Sequence, residues 1–144
     1  MTMPEESSIP DLEGLARRAR VSVPVSPEDL EAIHSRALLA AKAAAQVKAE
    51  DVRVLGMHQL VSYTDYLVLS TGRNSRLTRR ISEEVGFRLK QEVGLVPTGV
   101  EGADSGEWIL MDYLDFVVHI FTPEAREFYR LDVLWKQAPA EDVE

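Results

Sequence analysis

Residues 107–135 read EWILMDYLDFVVHIFTPEAREFYRLDVLW, and the fold turns on how this stretch is read. Trp108 to Tyr113 and Phe116 to Phe121 are rich in aromatic and branched residues, and only Leu114 and Asp115 separate them. That spacing predicts a β-hairpin, although the turn lacks the favoured asparagine-glycine pair. Thr122, Pro123 and Glu124 then predict a helix start: a hydroxyl to cap it, a ring that presets φ, and a carboxylate at the positive end of the dipole. The helix is expected to run on through Phe128, Leu131 and Trp135, which share one side, with Tyr129 adjacent. Side chains alternate along a strand, so Trp108, Leu110 and Asp112 share one face of the hairpin and Ile109, Met111 and Tyr113 the other. Ile109, Met111, Phe128 and Trp135 read as packing.

Working outward, Ser26, Pro27, Glu28 and Asp29 announce an earlier helix, and strong helix formers continue it to about Lys48. Leu30, Ile33, Ala37, Leu38, Ala41, Ala44 and Ala45 fall on one face, where alanine permits close packing on a sheet. Asp51 to Met57 and Tyr63 to Thr71 predict two strands joined by a short connection, hence antiparallel neighbours. Gly72 ends the second, and Asn74 or Ser75 caps a helix with an apolar stripe of Leu77, Ile81, Val85, Leu89 and Val93, closed by Gly94 as a left-handed cap. A loop that can hold one short strand leads back to the hairpin. The order predicts an α/β (α+β) fold: a mixed β-sheet flanked by helices, with one face less covered than the other.

The 144-residue length suits one compact domain, over residues 26–137, with a short extension. Residues 1–25 form that extension, expected to be flexible or to carry a short helix near Asp11 to Arg20 with Leu12, Leu15 and Ala16 on one side. The alternating prolines and valines of VSVPVSP favour an extended linker. Residues 138–144 are expected to be a frayed acidic tail. The first ten residues lack the basic and apolar regions of a secretory signal, and no apolar run reaches the roughly 20 residues of a membrane span, so a cytoplasmic location is expected. The chain has no cysteine, which excludes disulfides and thiolate chemistry. Its net charge of -8 argues against phosphate-dominated nucleic-acid binding but suits docking on a basic protein.

Little in the chain resembles a catalytic set. Gly72, Asn74 and Ser75 at a helix start can receive an anion, which leaves a nucleotide-binding enzyme as the alternative reading, yet TGRNSR is neither a P-loop nor a dinucleotide fingerprint. Asp112, Asp115 and His119 are near in sequence, but a strand's length separates His119 from the turn, so neither a metal site nor a cofactor site is expected. His119 reads as a packed, hydrogen-bonded residue. Aromatic residues beside carboxylates instead suggest a binding surface for a basic partner.

The combination of TDYLVLSTGRNSR, EGADSGEWILM and DYLDFVVHIFTPEAREFYRLDVLW closely resembles the ribosomal silencing factor family, also called Iojap, from about Ser26 to Trp135. The resemblance implies a nucleotidyltransferase-like topology without the catalytic motif and no enzyme activity. It implies a factor that binds the large ribosomal subunit through the universal large-subunit protein fourteen, blocks joining of the small subunit, and lowers translation when nutrients are short. It implies a homodimer when free. Glu107, Trp108, Leu110, Asp112, Tyr113, Asp115, His119 and Phe121 match the signature strands, and Arg126, Phe128 and Tyr129 the final helix. Trp108, Leu110, Asp112, Tyr113 and Asp115 are the expected ribosomal contact, with Asp65 and Tyr66 as outside candidates. On that expectation Asp112→Lys weakens docking and leaves the fold intact.

Overall fold

The computed structural model describes residues 9–18 and 26–144. A six-stranded mixed sheet has the order β3-β4-β5-β2-β1-β6. Its strands are β1 (Glu50–Gly56), β2 (Tyr66–Thr71), β3 (Gly99–Glu101), β4 (Trp108–Asp112), β5 (Phe116–Phe121) and β6 (Ala140–Val143). β2 and β5 pair in parallel, from Tyr66 with Phe116 to Thr71 with Phe121, and the remaining neighbours are antiparallel. Every residue of β2 and β5 is buried, as continuous apolar runs in the middle of a sheet covered on both faces require.

Helices α2 (Pro27–Gln46) and α3 (Ser75–Val93) cover one face. Ala37, Ala40, Ala41 and Ala44 on α2 and Ile81, Val85 and Leu89 on α3 are fully buried there with Val68, Ile109, Val118 and Ile120. The expected caps hold. Ser26 Oγ accepts from Asp29 N–H, Asn74 Oδ1 from Leu77 N–H and Thr122 Oγ1 from Ala125 N–H. Gly94 closes α3 at φ 69°.

The other face is covered as well, contrary to the sequence reading. A short helix α1 (Leu12–Arg17), the connection after β1, and helices α4 (Pro123–Tyr129) and α5 (Leu131–Leu134) lie over Leu55, Leu67, Leu69, Trp108, Leu110, Val117 and Phe121. Two further expectations are corrected. The last helix breaks at Arg130, which adopts φ 51°; Phe128 is half exposed, and Leu131 is the one buried residue of α5. Arg126 explains the break: its Nε and Nη2 donate to Asp132 Oδ1 and Oδ2 at 2.8 and 3.0 Å, and its Nη1 to Thr71 Oγ1 at 2.9 Å. Arg53 joins the same carboxylate at 3.1 Å, tying α5 to β1. The C-terminal residues do not fray but pair with β1 as the edge strand β6, where Arg53 Nε also meets Asp142 at 3.0 Å.

The loop before β4 is fixed by two glycines in the left-handed region, Gly102 (φ +82°) and Gly106 (φ +73°). A Cβ on Gly102 would stand 1.9 Å from the Trp108 carbonyl oxygen, a collision with backbone that no rotamer relieves. Gly102→Ala is expected to cost more than about 2 kcal/mol of folding stability. Urea unfolding checks this, and an unchanged midpoint would show that the loop shifts without penalty.

Candidate functional site

The turn of the hairpin brings three segments together. Leu114 turns the chain at φ 68°, and its N–H donates to Asp112 Oδ1 at 2.8 Å, so the Asp112 side chain caps the turn. Asp115 N–H donates to the Tyr113 carbonyl at 2.8 Å. The connection after β1 is laced onto this turn: Asp65 N–H donates to the Asp115 carbonyl at 2.9 Å and Thr64 Oγ1 to the Leu114 carbonyl at 3.0 Å. Arg18 arrives from the N-terminal segment. Its Nη1 pairs with Asp112 Oδ2, and its Nη2 donates to the carbonyls of Tyr63 at 2.7 Å and Leu114 at 3.2 Å.

The seven expected contact residues do not form one surface. Trp108 and Leu110, each 1% exposed, lie inside the outer cluster. Trp108 donates its indole N–H to His119 Nδ1 at 3.0 Å and packs on Phe121 and Tyr129, with ring centroids 5.2 and 4.4 Å away. Tyr113 stacks on Phe116 at 4.9 Å on the α2–α3 face, and burial pushes its hydroxyl pKa up to about 12. Tyr66 is on that same face beside His34, and Asp65 is buried. These five are therefore not solvent-facing recognition residues in the free chain. Asp112 and Asp115 do share the hairpin tip, flanking Leu114, which is 41% exposed. Leu60, 40% exposed in the adjoining connection, was not anticipated, and neither was Arg18. The only sequence signal for Arg18 was the one-sided pattern of Leu12, Leu15 and Ala16 just before it.

The features that suggested chemistry are engaged in packing. Asn74 caps α3, and the loop before β4 is strapped over the start of that helix. Thr78 Oγ1 donates to the Gly106 carbonyl, while Arg79 donates to the carbonyls of Ala103 and Asp104, both at 3.1 Å. A Cβ on Gly106 would lie 2.9 Å from Ser75, so loop and helix start are in direct contact. No group of three or more histidine, aspartate or glutamate side chains among the described residues is placed to hold a metal ion. His119 is fully buried, and burial lowers its pKa to about 3, so the ring stays neutral as the acceptor for Trp108. Burial pushes the Asp132 carboxyl up, but hydrogen bonds and charge from Arg126, then Arg53, outweigh it and hold the pKa below the usual range.

The chain is thus a mixed α/β domain with an acidic hairpin tip and with Trp108, Phe116, Phe121 and Tyr113 buried beneath it. Comparison with known proteins places the chain more closely. The family model described as "Ribosomal silencing factor during starvation" matches residues 30–144. A ribosomal silencing factor from Chromobacterium violaceum is 35% identical over 97 residues, which is 67% of this chain and 79% of that protein. One from Bacillus subtilis is 32% identical over 106 residues, 74% of this chain and 89% of the relative. Among solved structures, a Chromobacterium violaceum protein superposes with a TM-score of 0.69 at 33% identity, covering 72% of this chain and 86% of the other. The chain belongs to the ribosomal silencing factor family.

The buried histidine makes a pH prediction. An unfolded histidine takes up a proton near pH 6.5 and folded His119 only near 3. Between those values the unfolded chain binds the extra proton, so stability present above 6.5 is lost as the pH falls. The slope reaches up to about 1.4 kcal/mol per pH unit. His119→Asn keeps an acceptor for the indole and is expected to flatten the loss between pH 6.5 and 5 by about one proton, measured as urea midpoints across that range. An equal slope in both proteins would mean that His119 titrates normally.

Proposed function

We propose that the chain is a translation repressor that docks on the large ribosomal subunit through the universal large-subunit protein fourteen and thereby blocks joining of the small subunit. The observation that carries this is an acidic hairpin tip, Asp112 and Asp115 around exposed Leu114, in a chain of the ribosomal silencing factor family. An apolar centre flanked by carboxylates suits a basic protein surface, since opposite charge steers the encounter and the apolar contact holds it. A net charge of -8 disfavours gripping RNA phosphates directly. Steric exclusion asks only for affinity and bulk at the right place, so the mechanism calls for no cofactor and no enzymatic step. The repressor acts in the cytoplasm, where nutrient shortage lowers translation. When free it pairs with a second copy, for which the exposed Phe128, Val133 and Leu134 of α4 and α5 supply apolar surface.

Asp112 both caps the turn and holds Arg18, so Asp112→Lys disturbs the tip itself and is a poor probe. Asp115 ties the turn together through its backbone N–H and carbonyl. Asp115→Lys is expected to weaken co-sedimentation with isolated large subunits about tenfold or more, with a cooperative melt retained. The unaltered chain should sediment with large subunits and slow their joining to small ones. A chain that does neither is not a silencing factor in this sense.

A further inference from the structure

The segment before α2 lies outside residues 30–144, the part matched by the family model, yet it is bound to the proposed docking end. α1 is capped by Asp11, whose carboxylate accepts from Gly14 N–H at 2.9 Å. Leu15 is buried among the outer-face residues that include Trp108, Leu110 and Leu67, with Ile9 and Leu12 packed against the same cluster. The segment is tied at both ends. Asp11 N–H donates to the Glu101 carboxylate on β3 at 3.3 Å, and Arg18 holds Asp112 together with two backbone carbonyls of the tip.

We infer that residues 9–18 are an intramolecular occupant of the docking surface, a latch that must lift before a basic partner can engage the hairpin tip. The inference rests on the docking role proposed above and adds its regulation. Arg18 does to Asp112 what an arginine of the partner would do: a guanidinium on a carboxylate with carbonyls beside it. Arg18 takes Asp112 Oδ2 and Leu114 N–H takes Oδ1, so a partner's arginine has to compete with Arg18 for this carboxylate. α1 meanwhile lies on the outer-face cluster to which Leu110 belongs, so lifting it uncovers apolar surface beside the tip.

The segment is held as a latch rather than as a core element. A helix of six residues has no stability of its own, and α1 contributes one buried side chain, Leu15. A cavity of about 410 Å³ stays open between α1 and α5, lined among others by Leu12, Ala16, Leu60, Tyr63, Leu134 and Trp135. Arg18 Nε is buried without an acceptor among the described residues, so even the anchoring side chain is incompletely satisfied. The chain between Arg18 and Ser26 keeps a released segment within roughly 25 Å of its seat, so it recloses readily. A latch closed nine-tenths of the time weakens docking about tenfold relative to the open form.

The test uses the full-length chain carrying Arg18→Ala, Arg18→Lys or Leu15→Ser, titrated against isolated large subunits by co-sedimentation. Arg18→Ala and Leu15→Ser are expected to bind about threefold to tenfold more tightly than the unaltered chain. Arg18→Lys, which keeps the charge and loses the fork, is expected to fall between. Equal affinity in all four proteins overturns the latch and leaves docking standing, and weaker binding by the variants makes the segment part of the partner's contact instead. No binding by any of them removes docking and the latch together. Amide hydrogen exchange on the free chain gives a readout that needs no ribosome. The α1 amides are expected to exchange by local opening, far faster than those of β4 and β5, and exchange only through global unfolding would make α1 core and overturn the latch. Dimerisation of the variants without gain in ribosome affinity would likewise overturn it, assigning the segment to guarding against self-association.

Discussion

β2 and β5 lie side by side at the centre of the sheet with every residue of both strands buried, so both sheet faces need apolar cover. On one face the cover is ordinary: two long helices, close-packed through alanines on α2 and branched residues on α3. On the other it is assembled from small pieces, α1, the connection after β1, and the broken pair α4–α5, none of which could stand alone. A rigid side and a patched side are thus a consequence of the same burial. The proposed docking tip is tied to the patched side through Arg18 and Thr64.

The patched face is still specific. Trp108 is fixed by its hydrogen bond to His119, and Arg126 locks the α4–α5 break by gripping Asp132 and Thr71 at once. Removing one member of the buried Trp108–His119 pair leaves a polar group unpaired, which costs more than the pair itself contributes. Trp108, His119 and Arg126, which match the family signature, therefore serve the architecture, and at the turn Leu114 is exposed between the half-buried Asp112 and Asp115. A histidine and several carboxylates in one stretch suggested chemistry. The geometry instead uses the histidine as a neutral acceptor and the carboxylates as a turn cap, an anchor for Arg18 and a clamp for Arg126.

Local signals were legible in the sequence because they are enforced locally. The caps at Ser26, Asn74 and Thr122, the stop at Gly94, the hairpin and the face alternation at Trp108–Asp112 all follow from residues within a few positions of one another. What escaped depends on distant partners. β6 has no alternating apolar pattern and is a strand only because the free edge of β1 receives it. The break at Arg130 interrupts a good helical stripe because Arg126 reaches across to Asp132. Of the candidate site, the acidic tip was legible and the burial of Trp108 and Leu110 was not. Their alternation correctly gave one face, but α1 and α4 fold over that face from opposite ends of the chain. Tyr113 was misplaced for a simpler reason, since the same alternation puts it on the α2–α3 side.

The most direct measurement is of position. A photoreactive side chain placed at Leu114, activated on the chain bound to isolated large subunits, reports what lies against the hairpin tip. Docking through the tip predicts a covalent adduct chiefly with the universal large-subunit protein fourteen. Adducts chiefly with ribosomal RNA or with another protein, or binding without any adduct from this position, would contradict it.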